Sequence, residues 1–94
     1  MLRAKYSDAE GFVTIRGLIV PSEWDEGGNI TATAISTYFE EEYLIDQNPR
    51  GKELLAFLRQ KVEVIGLVRT GDRGRKVITV EEYEVIRVGP SEIR

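Results

Sequence analysis

Apolar and polar positions alternate along most of the chain, and the alternation predicts strands. Phe12 to Val20 is the first, with Val13, Ile15, Gly17 and Ile19 on one side and Leu18 and Val20 on the other. A glycine inside a strand marks a bend or a close approach, so this strand is expected to be long and bent, and Pro21 is expected to stop it. Pro21 to Gly28 is turn chemistry, since its glycines supply positive φ. Asn29 to Thr37 is the second strand. Its small apolar side, Ile30, Ala32 and Ala34, is predicted to face the core, and Thr31, Thr33, Ile35 and Thr37 to face solvent. Glu41 to Asp46 is the third strand, with Tyr43 and Ile45 on one side. The turn before it, around Phe39-Glu40, contains no Gly, Asn or Pro, so one long strand from Asn29 to Asp46 is the competing reading.

Asn48-Pro49 starts a helix: Asn accepts bonds from the first free amides, and proline in the first turn has no N–H to lose. Leu54, Leu55 and Leu58 give it one apolar stripe over two to three turns. Lys61 to Arg69 is the fourth strand, with Val62, Val64, Gly66 and Val68 in phase. Thr70 to Gly74 is a hairpin loop, and Arg75 to Val88 is the fifth strand. Its apolar phase runs through Ile78 and Val80 and then Tyr83 and Val85, so it slips by one at Glu81-Glu82, as at a bulge. Residues 1–10 read as an irregular lead-in, and Gly89-Pro90 ends the domain.

Three strands, one short helix and two strands, with glycines or slips inside three of the strands, fit a small sheet that coils until it closes. The prediction is a mainly β, single-domain chain over 1–94. Its fold is a five-stranded OB-fold Greek-key barrel over about 12–88, with one short helix between strands three and four. The run from Lys61 to Val68, the glycine-containing turn after it, and Val77 to Ile86 resemble the closing hairpin of small stand-alone bacterial OB-fold proteins, in the nucleic-acid-binding type of that superfamily. Tyr43-Leu44-Ile45 followed by Gly51-Lys52-Glu53-Leu54-Leu55 is similar too. The resemblance implies a barrel plugged at its bottom by the helix. It also implies a ligand laid across strands two and three, flanked by the loops Pro21–Gly28 and Thr70–Gly74.

Composition narrows the chemistry. The chain has 94 residues, no Cys and no His. Disulfide scaffolds, zinc fingers, thiolate nucleophiles and imidazole acid–base catalysis are therefore excluded. No apolar run approaches a membrane span of ~20 residues, and the polar start lacks the apolar middle of a signal peptide, so a cytoplasmic location with no membrane contact is expected. The formal net charge is −3, which steers against indiscriminate polyanion binding. Charge is uneven, however. Residues 1–47 hold three bases against nine acids, and residues 48–94 hold ten bases against seven acids. Arg69, Arg73, Arg75 and Lys76 cluster around the last hairpin with one acid, Asp72.

Those four cations, with Trp24 and Tyr38, form the candidate nucleic-acid site. The cations would meet phosphate and the rings would stack on bases. Each has a plainer reading: a solvated hairpin tip, a ring lidding the barrel end, a ring at the core rim. The absence of bases between Asn29 and Gln47 and the acids Glu40, Glu41, Glu42 and Asp46 weigh against nucleic acid. No catalytic residue, metal site or cofactor is predicted. The consecutive glutamates lack the divergent environments of an acid–base pair, the serines lack a base partner, and Asp25 to Asn29 lacks the alternating oxygens of a calcium loop. The expected function is a small non-catalytic binding module for single-stranded nucleic acid. The alternative is a protein-interaction or assembly module, in which a barrel edge or the acidic second hairpin meets a basic partner.

Overall fold

The computed structural model describes residues 11–87. The lead-in over 1–10, Val88 and the stop at Gly89-Pro90 lie outside the described residues. Five strands close into one barrel in the order β1-β2-β3-β5-β4: β1 Phe12–Trp24, β2 Ile30–Thr37, β3 Glu42–Ile45, β4 Lys61–Thr70 and β5 Lys76–Val85. A short helix, α1 (Pro49–Glu53), and a 3-10 turn over Leu54–Phe57 lie between β3 and β4. All neighbours are antiparallel except β3 and β5, which pair in parallel through Leu44↔Val77 and Ile45↔Ile78. This is the OB arrangement the sequence order predicts.

The barrel fills with branched side chains. Ile15, Ile19, Ile35, Ile45, Leu54, Val62, Val64, Ile78 and Val80 form one buried cluster. Burying each such side chain stabilises the fold by roughly 1.5–3 kcal/mol. The phases read for the first, third, fourth and fifth strands hold. The slip in β5 is real: Ile65 faces Glu82 and Gly66 faces Val80, leaving Glu81 as the extra residue of a bulge.

The second strand faces the other way from its prediction. Ile35 is 0 % exposed and lies in the core cluster, with Thr33 buried in the same phase. A narrow barrel interior needs bulk that alanine cannot supply. Ala34 is nevertheless covered, because Val20 and Leu44 flank it as its cross-strand partners.

Pro21 does not end β1. The strand continues to Trp24, paired with β2. Pairing with β4 stops at Leu18↔Lys61. Just beyond, Ile19 N–H donates to Gln60 O and Ile19 O accepts from Arg59 N–H. Alternation places the missing N–H of Pro21 on that same side, where no strand lies, so the proline costs no ladder bond.

The second hairpin is two strands with a turn, not one long strand. Thr37 Oγ1 accepts from the amides of Phe39 and Glu41, and Glu40 takes a left-handed φ of 66°. A threonine hydroxyl organises the turn where glycine would be expected. The helix begins as predicted, with Asn48 Oδ1 accepting from Gly51 N–H at 3.2 Å and Pro49 in the first turn. It is shorter than predicted, because it tightens into the 3-10 turn at Leu54. Leu54 plugs the barrel while Leu55 stays outside.

Two inward-phase glycines permit the coiling. A Cβ on Gly17 would collide with the carbonyl oxygen of Ser36, and one on Gly66 with that of Thr79. Backbone cannot yield as a side chain does. Gly17→Ala and Gly66→Ala are each expected to cost about 2–3 kcal/mol, read as a lowered urea midpoint with an unchanged m-value. A change under ~0.5 kcal/mol would show that the strands do not approach this closely.

Candidate functional site

The first loop is locked by its own aspartate. Asp25 Oδ1 accepts from the amides of Gly27 and Asn29, each at 2.9 Å, and Oδ2 accepts from Asn29 Nδ2 at 3.3 Å. The Asn29 amide is the main reason its carboxyl sits below the ordinary Asp value, with the Asn29 side chain next. These carboxylate oxygens are committed within the loop. Among the described residues no cluster of three potential metal ligands occurs.

Trp24 stands at the end of β1, 56 % exposed, opposite Ile30. From there the outer face of β2, β3 and β5 runs toward the β4–β5 loop. Its floor is small and aliphatic: Val20 pairs with Ala34, Ala34 with Leu44, and Leu44 with Val77. A shallow groove of about 190 Å³ crosses it, lined among others by Ser22, Glu23, Ala32, Leu44, Asp46 and Val77. Among the described residues, the buried hydroxyl of Ser22 has no hydrogen-bond partner.

Arg69 is tied to a carboxylate, although more than half of its side chain stays exposed. Its Nη1 donates to Asp46 Oδ2 at 3.0 Å and to Thr79 Oγ1 at 3.1 Å, and Thr79 in turn donates to Asp46 Oδ2 at 2.8 Å. The hydrogen bond from Arg69 is the largest cause holding the Asp46 carboxyl below its ordinary value, followed by that from Thr79. This triad ties β3 to β4 and β5 where the parallel pairing is short.

Arg73 and Arg75 on the β4–β5 loop and Lys76 at the start of β5 are exposed and form no ion pair among the described residues. Arg73 takes a left-handed φ of 61°. Lys76 Nζ lies 5.7 Å from the centre of the Tyr43 ring. Strand spacing puts Trp24 and Lys76 roughly 20 Å apart, five positions along and three strands across. At that distance they cannot touch one group.

Tyr38 belongs elsewhere. It follows the last residue of β2, so it lies roughly 25 Å from the Trp24 end of that strand. It is 91 % exposed, and Phe39 beside it is 80 % exposed. The two rings meet edge to face, centres 5.5 Å apart. Tyr38 walls a groove of about 440 Å³ at the bend of β1, lined with Arg16, Gly17, Leu18, Ser36, Thr37 and Lys61. Arg16 Nε is 3.0 Å from Glu63 Oε2, and Lys61 forms no ion pair among the described residues.

The six predicted residues therefore divide. Trp24 stands at the end of β1, Arg73 and Arg75 lie in the β4–β5 loop, Lys76 lies over the Tyr43 ring, Arg69 is tied to Asp46, and Tyr38 stands with a second group. Phe39, Leu18, Arg16 and Lys61 of that group were not singled out in the sequence. One signal for Phe39 was present: adjacent side chains on a strand point to opposite faces, so Tyr38 and Phe39 could not both enter the core.

Glu53 Oε1 accepts from Tyr83 Oη at 2.9 Å and lies 3.4 Å from Arg50 Nη1. Desolvation first, and then this bond, raises the Tyr83 phenol. The contact pins the helix to β5. Among the described residues no helix is long and apolar enough to cross a membrane. In comparisons with known proteins, no family model matches the chain, and no curated protein matches it significantly.

Because the folded-state pKa values of Asp25 and Asp46 are lowered, their stabilisation is present above the unfolded value and is lost as pH falls through the folded one. A carboxyl-carbon titration is expected to place both midpoints below 3.8. Arg69→Ala should raise the Asp46 midpoint and leave that of Asp25 in place. An Asp46 midpoint unmoved by Arg69→Ala would break the triad as described.

Proposed function

We propose that the protein is a non-catalytic binding module that docks on another protein through the β2–β3 turn. The observation that carries this is the pair Tyr38 and Phe39, almost wholly exposed at the tip of a hairpin. Covering a phenylalanine side chain is worth roughly 1.5–3 kcal/mol, and aromatic anchors inside a polar rim are the usual centres of protein contacts. Glu40, Glu41 and Glu42, all exposed, supply that rim and favour a basic surface opposite. The aliphatic, ring-free floor between Trp24 and Val77 supports the same reading, since it offers bases nothing on which to stack.

A photo-crosslinking residue at position 39, in the cells that make the protein, tests this. Protein adducts are expected at position 39, absent when the residue is at position 73, and lost with Glu40→Lys and Glu41→Lys. Equal adducts from both positions, or none from position 39, would overturn it.

The exposed cations Arg73, Arg75 and Lys76, in no ion pair among the described residues, favour a second reading, single-stranded nucleic acid running from Trp24 to the β4–β5 loop. With Arg69 held by Asp46, three cations remain, and binding would show a salt slope of roughly −2. An amide-shift titration with a mixed-sequence oligonucleotide at low salt decides it. Shifts at Trp24 and residues 71–76, abolished by Arg73→Glu with Arg75→Glu, are this reading's outcome; silence at millimolar oligonucleotide removes it.

A further inference from the structure

The tip and the groove beside it carry opposite charge. The tip offers Phe39 together with Glu40 and Glu41, all exposed. The groove offers Leu18, 47 % exposed, between the cations of Arg16 and Lys61. At about 440 Å³ it is larger than the ~150 Å³ cavities that take up a benzene ring. A chain's own Phe39 does not line it: Phe39 lines an adjoining hollow with Thr14, Ile15 and Glu41, which meets the groove at Arg16, Thr37 and Tyr38.

We propose that the partner docked by the tip is a second copy of this chain, each copy seating Phe39 in the other's groove between Arg16 and Lys61. The proposal rests on the protein-docking reading above and names its partner. Tyr38 borders both tip and groove, so a two-fold axis passing near Tyr38 satisfies both contacts at once. That is the self-complementarity a symmetric pair requires. Charge acts locally in its favour. Two chains of net charge −3 repel overall, yet here acid faces base twice. Arg16 remains available although Glu63 shares it, since its side chain is 67 % exposed.

Sedimentation velocity from micromolar to millimolar protein at low salt is the test. The wild-type chain should pass from monomer to dimer, with the midpoint moving to higher concentration as salt rises. Phe39→Asp should leave a monomer. Arg16→Glu with Lys61→Glu reverses the groove, and Glu40→Lys with Glu41→Lys reverses the tip; each reversed chain alone should be monomeric. An equimolar mixture of the two should form a heterodimer, because both contacts are again opposite in sign. Lys61→Glu alone, which spares the Arg16–Glu63 pair, should weaken the wild-type dimer at least tenfold. Urea midpoints close to wild type establish that these exposed substitutions leave the fold intact.

A wild-type chain monomeric at millimolar concentration overturns the proposal, as does a dimer indifferent to Phe39→Asp or a mixture that stays monomeric. Adducts at position 39 with a different protein, beside a monomeric wild type, would overturn the second-copy proposal and leave the docking reading standing. Absence of any adduct would remove both.

Discussion

Two pairs of strands approach so closely at Gly17 and Gly66 that a Cβ at either would strike a carbonyl oxygen of the neighbouring strand. A five-stranded sheet closes only if it coils sharply, and coiling brings backbones together where the inward side chains are missing. Both glycines lie in the inward phase of their strands, between Ile15 and Ile19 and beside Val64. The extra residue of β5, Glu81, lies beside Gly66 and adds to the bend there. Closure in turn gives the branched core its shape and leaves a hole at one end for Leu54 to fill.

The surface follows from the same bend. At Gly17, β1 is paired on both sides, with Thr37 and with Val62. Beyond Leu18 it leaves β4 and runs with β2 alone. The groove lies just before that parting, where Leu18 pairs with Ser36 on one side and Lys61 on the other, and the end of β2, hence Tyr38, stands at its wall. On the far side the barrel is completed by only two β3–β5 pairs, and the Asp46–Arg69–Thr79 triad reinforces them. One cation of the predicted site is thereby used to hold the barrel shut. The closing geometry leaves uncovered the cations Arg73, Arg75 and Lys76 around the β4–β5 loop and the rings of Tyr38 and Phe39 at the β2–β3 turn.

Much of the fold was legible because its signals are local. Asn48-Pro49, the slip at Glu81-Glu82, and the phase of β1 and β4 each follow from a few neighbouring residues. The failures are tertiary. Whether Ala34 or Ile35 faces inward depends on how narrow the barrel is, which β2 alone does not encode. Whether Pro21 ends a strand depends on which side lacks a neighbour. The turn at Phe39-Glu40 rests on a threonine hydroxyl and a left-handed glutamate, neither of which is a strong turn signal. The site was legible only in part for the same reason. Arg69 reads as a free cation until Asp46, 23 positions earlier, is placed beside it. Arg16, Lys61 and Phe39 come together only when β1 is known to pass between β2 and β4.

The central claim is that the uncovered rings and the groove beside them form one contact surface, made by the bend at Gly17. Amide spectra of the labelled wild-type chain over a thousandfold dilution test it most directly. Concentration-dependent shifts confined to residues 16–18, 36–41 and 61, with Trp24 and residues 69–76 unmoved, are the result this account predicts. Spectra that do not change with concentration, or changes centred on Trp24 and the β4–β5 loop, would contradict it.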